Sequence, residues 1–148
     1  MKKIKNIGEF AMLAGMVITL FAHGVCVNAQ TRTQVSEDVF RLHVIANSDS
    51  DVDQALKIKV RDAVLEAGGG IFVGSENADD AAEVAELNLE VFNAAARKVL
   101  RENGCEHSVE CEVADVWFDE RAYGSAVLPE GEYKALRVKI GRAEGRNW

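Results

Sequence analysis

The sequence predicts an α+β domain: a small, mainly antiparallel sheet of at least three strands with two helices packed on one face, in the order β-α-α-β-β. An N-terminal hydrophobic signal or anchor helix precedes it. Three observations carry this prediction. An apolar run ending Val44-Ile45-Ala46 stops abruptly in the polar cluster Asn47-Ser48-Asp49-Ser50 and passes directly into helical periodicity. A second stretch, from about Ala78 to Glu102, holds helical spacing throughout. Two later segments, Ser108 to Phe118 and Glu132 to Ile140, alternate apolar and polar residues with the period of a strand.

Lys2, Lys3 and Lys5 form a basic start, Phe10 to Val27 an apolar run, and Val27-Asn28-Ala29 a small-residue exit. Residues 1–29 therefore read as a cleaved export signal or, the run being near the lower length for a membrane span, as a retained anchor. His23, Gly24 and Val25 before Cys26 do not suit lipid attachment. Residues 30–38 are polar and without period, a flexible linker. Residues 39–148 form a single exported domain.

The first strand, about Val39 to Ala46, carries apolar residues on both faces, as a central, doubly covered strand would. Arg41 and His43 fall on one of those faces. Leu56, Val60, Ala63, Val64 and Ala67 give the next helix its apolar stripe, with Asp49 or Ser50 as its N-cap and the glycines from Gly68 to Gly70 as its stop. Ser75 or Asn77 caps the second helix. That helix has two apolar stripes, one through Val84, Leu87 and Val91, the other through Leu89, Phe92, Ala96, Val99 and Leu100. In the next strand Val109, Cys111 and Val113 share a face, and Asp115 interrupts the alternation as a bulge would. In the final strand Leu136, Val138 and Ile140 point inward, leaving Tyr133, Ala135, Arg137 and Lys139 on the other face. The connection between these strands, Asp119 to Gly131, is too long for a tight hairpin turn.

The 148 residues carry a formal charge of −7, and loss of the N-terminal segment makes the remainder more acidic still. An acidic chain without a Lys/Arg cluster excludes nucleic acid as an expected partner. No metal or other cofactor is expected: Cys105-Glu106-His107 lacks the ligands of a structural zinc site, and no HExxH motif occurs. His43 with Asp49 and Ser48 or Ser50 has the residue types of a hydrolytic triad, but capping of the helix explains the same polar residues. Arg41, Arg137, Asp53 and Asp62 are candidates for ordinary ion pairs. Cys105 and Cys111 allow a possible short-loop disulfide, or two separate thiols. The segment with Tyr123, Gly124, Leu128 and Pro129 is long and partly apolar, suited either to folding over the sheet or to meeting a partner.

The string FRLHVIANSDS…DQALKIKVRDAVLE, with Tyr123-Gly124, Leu128-Pro129, Gly131, the strand through Gly141, and Gly145-Arg146-Asn147-Trp148, resembles the stage II sporulation protein R family of endospore-forming bacteria. The resemblance covers about residues 39–67 and 103–148. It implies a non-enzymatic messenger, exported across the forespore membrane into the intermembrane space. There it would activate a membrane-embedded aspartic protease of the mother-cell membrane that processes the sigma-E precursor. It also implies that this chain lacks the family's C-terminal tail, whose cysteines could bridge to Cys105 or Cys111. Membrane contact would come only through an uncleaved N-terminal segment, and no small-molecule substrate is implied. The expected partner surface comprises Arg41, His43, Asn47, Ser48, Asp49, Ser50, Tyr123, Gly124, Leu128 and Pro129. Competing expectations are an exported cell-envelope hydrolase using His43, and a non-catalytic envelope scaffold.

Overall fold

The computed structural model describes residues 35–124 and 126–146. Expectations for residues 1–34 and for Asn147 and Trp148, including the signal or anchor, lie outside the described residues. The chain divides into two units, Met1–Val35 and Ser36–Trp148, and the fold is that of the second. Residues 35–38 are helical, in a segment where the sequence has no period.

The elements are β1 (Arg41–Ile45), α1 (Asp51–Gly68), α2 (Ala78–Leu87), α3 (Leu89–Glu102), β2 (Val109–Phe118), β3 (Arg121–Tyr123), β4 (Ala126–Leu128) and β5 (Gly131–Ile140). The α+β class holds, with a mixed rather than mainly antiparallel sheet. Its order is β1-β5-β2. β5 runs parallel to β1, from Arg41↔Ala135 to Ile45↔Lys139, and antiparallel to β2, from Val109↔Ile140 to Phe118↔Gly131. Side-chain periodicity encodes faces and not strand direction, so it left this pairing unspecified. β1 is consequently an edge strand, and β5 is the central one.

α1 begins at Ser50, whose hydroxyl accepts the Asp53 N–H at 3.2 Å, and buries Leu56, Val60 and Val64 as its stripe requires. Asn77 caps α2 by accepting the Asp80 N–H at 2.9 Å. The expected long second helix is two helices broken at Asn88. The Asn88 side-chain amide donates to the Val84 carbonyl at 2.8 Å, and its own N–H returns to Ala85. Such local side-chain bonding offers the backbone an alternative to the helix. Past the break the buried stripe is Phe92, Ala96 and Leu100, whereas Leu87 is 81% exposed.

One apolar core joins these helices to Val44, Val109, Cys111, Leu136, Val138 and Ile140 of the sheet. Three described helices therefore cover that face, where two were expected. Asp115 pairs with Lys134 in unbroken register, so there is no bulge there. Its charge alone interrupts the alternation, its carboxylate lying 3.9 Å from the Lys134 ammonium.

The opposite face is not simply wet. Tyr133 and Ala135, expected outward, are buried there, Tyr133 edge-on to Phe118. Near them, the 119–131 connection contains the hairpin β3–β4, paired from Arg121↔Leu128 to Tyr123↔Ala126. Gly124 makes its turn at φ +62.

Candidate functional site

The expected partner residues separate into two groups at different places on the fold. The first is the corner after β1. Asp53 accepts from Asn47 Nδ2 at 2.9 Å and from the Ser48 hydroxyl at 2.6 Å, and these two bonds, Ser48 first, hold its carboxyl below the usual carboxylate range. Asn47 Oδ1 accepts the Arg142 N–H at 3.1 Å, and Asp49 accepts the Arg146 N–H while pairing with its guanidinium at 3.0 Å. The backbone adds Glu144 N–H to Asn47 and Gly145 N–H to Ala46.

The corner thus clasps residues 142–146, joining the two ends of the domain. Gly145 sits so close that an added Cβ would lie 2.7 Å from the Ser48 carbonyl oxygen. Gly141, at φ +56, would likewise drive a Cβ into Asn47. Both segments that carry the family resemblance are therefore held against one another. The clasp also presents the Arg146 carbonyl to the buried Lys57, whose ammonium donates to it at 3.0 Å. Burial, the larger influence, pushes the Lys57 amine down, and Asp49 opposes that.

The second group lies on the sheet face away from the helices. Arg41 and His43 share that face, as their spacing predicts. Arg41 is only 8% exposed; its guanidinium carbon stands 3.8 Å from the Phe118 ring centroid and 4.8 Å from that of Tyr133. Its Nη2 donates to the Tyr123 hydroxyl at 3.4 Å, bringing two of the expected residues together across 82 positions. Nη1 is buried without a hydrogen-bond partner. The neighbouring Arg137 pairs with Glu112 at 3.4 Å, and Lys139 bridges Glu112 and Glu110 at 2.9 and 3.0 Å. Asp62 pairs with Arg61 at 2.6 Å. Arg41, in contrast, meets aromatic rings, and no carboxylate of the described residues forms an ion pair with it.

Leu128 and Tyr123 line a cavity of about 610 Å³ beside β1, shared with Arg41, Lys57, Arg61 and Arg121. Pro129 accepts the Tyr133 hydroxyl at 2.7 Å, fixing the base of the hairpin. Lys57, Arg61 and Phe118 were not singled out by sequence, and Arg121 stood out only as the first residue of the loop carrying Tyr123 and Leu128. An arginine in a strand and a lysine beside a helix's apolar stripe were the available signals, but only the fold shows that they converge.

His43 is half-buried, edge-on to Phe118 at 5.4 Å, and neither ring nitrogen has a hydrogen-bond partner. Burial pushes its imidazole below the ordinary 6.5, helped by the charges of Arg137, Lys57 and Arg41. Ser48, Ser50 and Asp49 are engaged within the corner, so the residues of the suggested triad are not assembled. Among the described residues, no group of three or more His, Cys, Asp or Glu is placed to hold a metal ion. Cys105 and Cys111 are free thiols, and burial pushes that of Cys111 up to about 11. No described helix is long and apolar enough to cross a membrane.

Comparison with known proteins agrees with the two joined motifs. The pattern described as stage II sporulation protein R (spore_II_R) matches residues 36–148. Stage II sporulation protein R of Bacillus subtilis (strain 168) is 30% identical over 140 residues, covering 94% of this chain. The chain spans about 62% of that relative's length. No solved structure matches. The match extends across the whole described domain, from the helical turn before β1 through the clasped 142–146 segment, and the chain belongs to the stage II sporulation protein R family.

Proposed function

We propose that this chain is an exported sporulation signalling protein that activates a membrane-embedded aspartic protease of the mother-cell membrane and so triggers processing of the sigma-E precursor. Membership of the family carries this reading, and that family comprises signalling proteins, not enzymes. The site supports it in kind. It offers buried cation–aromatic contacts, an apolar hairpin and a cavity suited to protein recognition, with 59% of Tyr123 and 57% of Val127 left exposed. The peptide-bond chemistry belongs to the protease, and this chain supplies binding.

In this reading Arg41, His43, Tyr123, Gly124, Leu128 and Pro129 form the partner-facing region, and Asn47, Ser48, Asp49 and Ser50 hold its flank. The protein acts in the intermembrane space, reached through its N-terminal segment. The test is reconstitution. The exported chain is co-expressed with the protease and the sigma-E precursor in a non-sporulating bacterium, and precursor cleavage is followed by immunoblot. Cleavage that requires the chain is the expected result. Cleavage independent of the chain, or none, contradicts the proposal.

A further inference from the structure

β1 is bonded to β5 on one side, and among the described residues no strand occupies its other side. An open edge presents backbone donors and acceptors to any extended chain, and proteins ordinarily cover or charge such edges. Here the edge borders the 610 Å³ cavity, walled by Lys57 and Arg61 of α1 and by Arg121, Tyr123 and Leu128 of the hairpin. A second cavity of about 550 Å³ continues along the strand, sharing Phe40, Arg41, Leu42 and Leu65 with the first. The two make a trough along the outer edge of β1.

The charge of this trough opposes that of the molecule. Arg41, Lys57, Arg61 and Arg121 line its first part, where no Asp or Glu of the described residues does, although Arg61 already pairs with the neighbouring Asp62 and the chain as a whole carries −7. Carboxylates enter only at the far end, through Asp38 and Glu76. The most telling group is Arg41, more than nine-tenths buried, with Nη1 unpartnered and no carboxylate opposite it among the described residues. A buried donor left unsatisfied is costly, the more so when it is charged, so an arriving carboxylate has a bond to complete.

We propose that the outer edge of β1 accepts an extended segment of a partner protein as an added strand, with acidic side chains on the face of Arg41 and Arg121 and the alternate, apolar ones on the α1 side, against Ile58 and Leu65. Backbone pairing supplies affinity, and the alternate side chains supply selectivity. The inference deepens the signalling proposal by naming the kind of segment its partner presents, and it rests on that proposal for biological meaning only.

The probe is a fluorescein-labelled octapeptide of alternating glutamate and valine, measured by fluorescence polarisation with the full chain. Controls are the lysine–valine counterpart and two glutamate–valine peptides N-methylated at one or the other set of alternate amides. Strand addition predicts that the acidic peptide binds at least tenfold more tightly than the basic one. Its binding should weaken between 50 mM and 500 mM salt, and one N-methylation pattern should abolish it while the other does not. The double variant Arg61→Glu/Arg121→Glu, both on the surface, should lose at least tenfold in affinity with its circular dichroism unchanged. No binding of the acidic peptide, equal binding of the basic one, or indifference to both N-methylation patterns overturns the inference. Failure here with chain-dependent precursor cleavage intact leaves the signalling proposal standing. Peptide capture without cleavage supports strand addition at the edge and contradicts the signalling proposal.

Discussion

The two edges of the sheet are built differently. At β2 the Cys111 N–H is taken by Asn93 Oδ1 of α3 at 3.1 Å, and the acids the strand exposes, Glu110 and Asp115, pair with lysines of β5. At β1 the strand faces a cation-lined trough, with a buried arginine lacking a partner acid. The first arrangement serves the fold, closing an amide and seating Phe92, Ala96 and Leu100 against Cys111 and Val109. The second holds a buried charge that stacks on Phe118 and Tyr133 with no carboxylate partner among the described residues. Groups retained at a cost to the fold are where function is expected.

The comparison is broken most severely on its structural side. Phe92 is wholly buried, and Phe92→Ala should destabilise the domain by about 3–5 kcal/mol, read from denaturant midpoints. Asn93→Ala strands the Cys111 N–H in the interior and should cost about 1–3 kcal/mol on the same measurement. Arg41→Met tests the other edge, because a cation with no partner acid gives up little when replaced by an apolar side chain. Its melting temperature should equal or exceed that of the parent, whereas acidic-peptide affinity should fall at least tenfold. A melting temperature lowered as far as that of Asn93→Ala would make Arg41 a structural residue.

His43 gives a smaller, pH-dependent effect. Its folded pKa lies below 6.5, so the unfolded chain binds the proton more readily between the two values. Stability from this group is present above about pH 6.5 and is lost as pH falls toward the folded value. Melting curves at pH 7.5 and 5.5 should show a drop that His43→Gln reduces. Asp53, depressed by Ser48 and Asn47, acts in a lower window, contributing above about pH 4 and losing its share as pH falls through its folded pKa. Smallest of all is the stability change in Arg61→Glu/Arg121→Glu, expected within about 0.5 kcal/mol per site at these surface positions.

Much of the closed side could be read from the sequence. The stripe through Leu56, Val60 and Val64, the Ser50 cap and the inward set Leu136, Val138 and Ile140 follow from spacing, and the structure has them so. The helix break at Asn88 was hidden, because apolar stripes continue on both sides of it and neither Gly nor Pro marks the site. The burial of Tyr133 and Ala135 was hidden for another reason. Phe118 of β2, which meets the Tyr133 ring edge-on, is brought near only by strand pairing. The open edge was the least legible part. Arg41 and Tyr123 stood out separately as a strand arginine and a loop aromatic, but their meeting depends on β1 lying at the edge, which periodicity does not encode. The corner residues were legible as polar, and the structure adds that they clasp the 142–146 segment.

The most direct measurement of the central claim, signalling through the open edge, sets the wild-type chain beside Arg61→Glu/Arg121→Glu in the co-expression assay at matched protein levels. The predicted result is precursor cleavage with the wild type, reduced at least tenfold with the folded double variant. Undiminished cleavage with the variant would contradict the role of the edge, and no cleavage with either chain would contradict the signalling function itself.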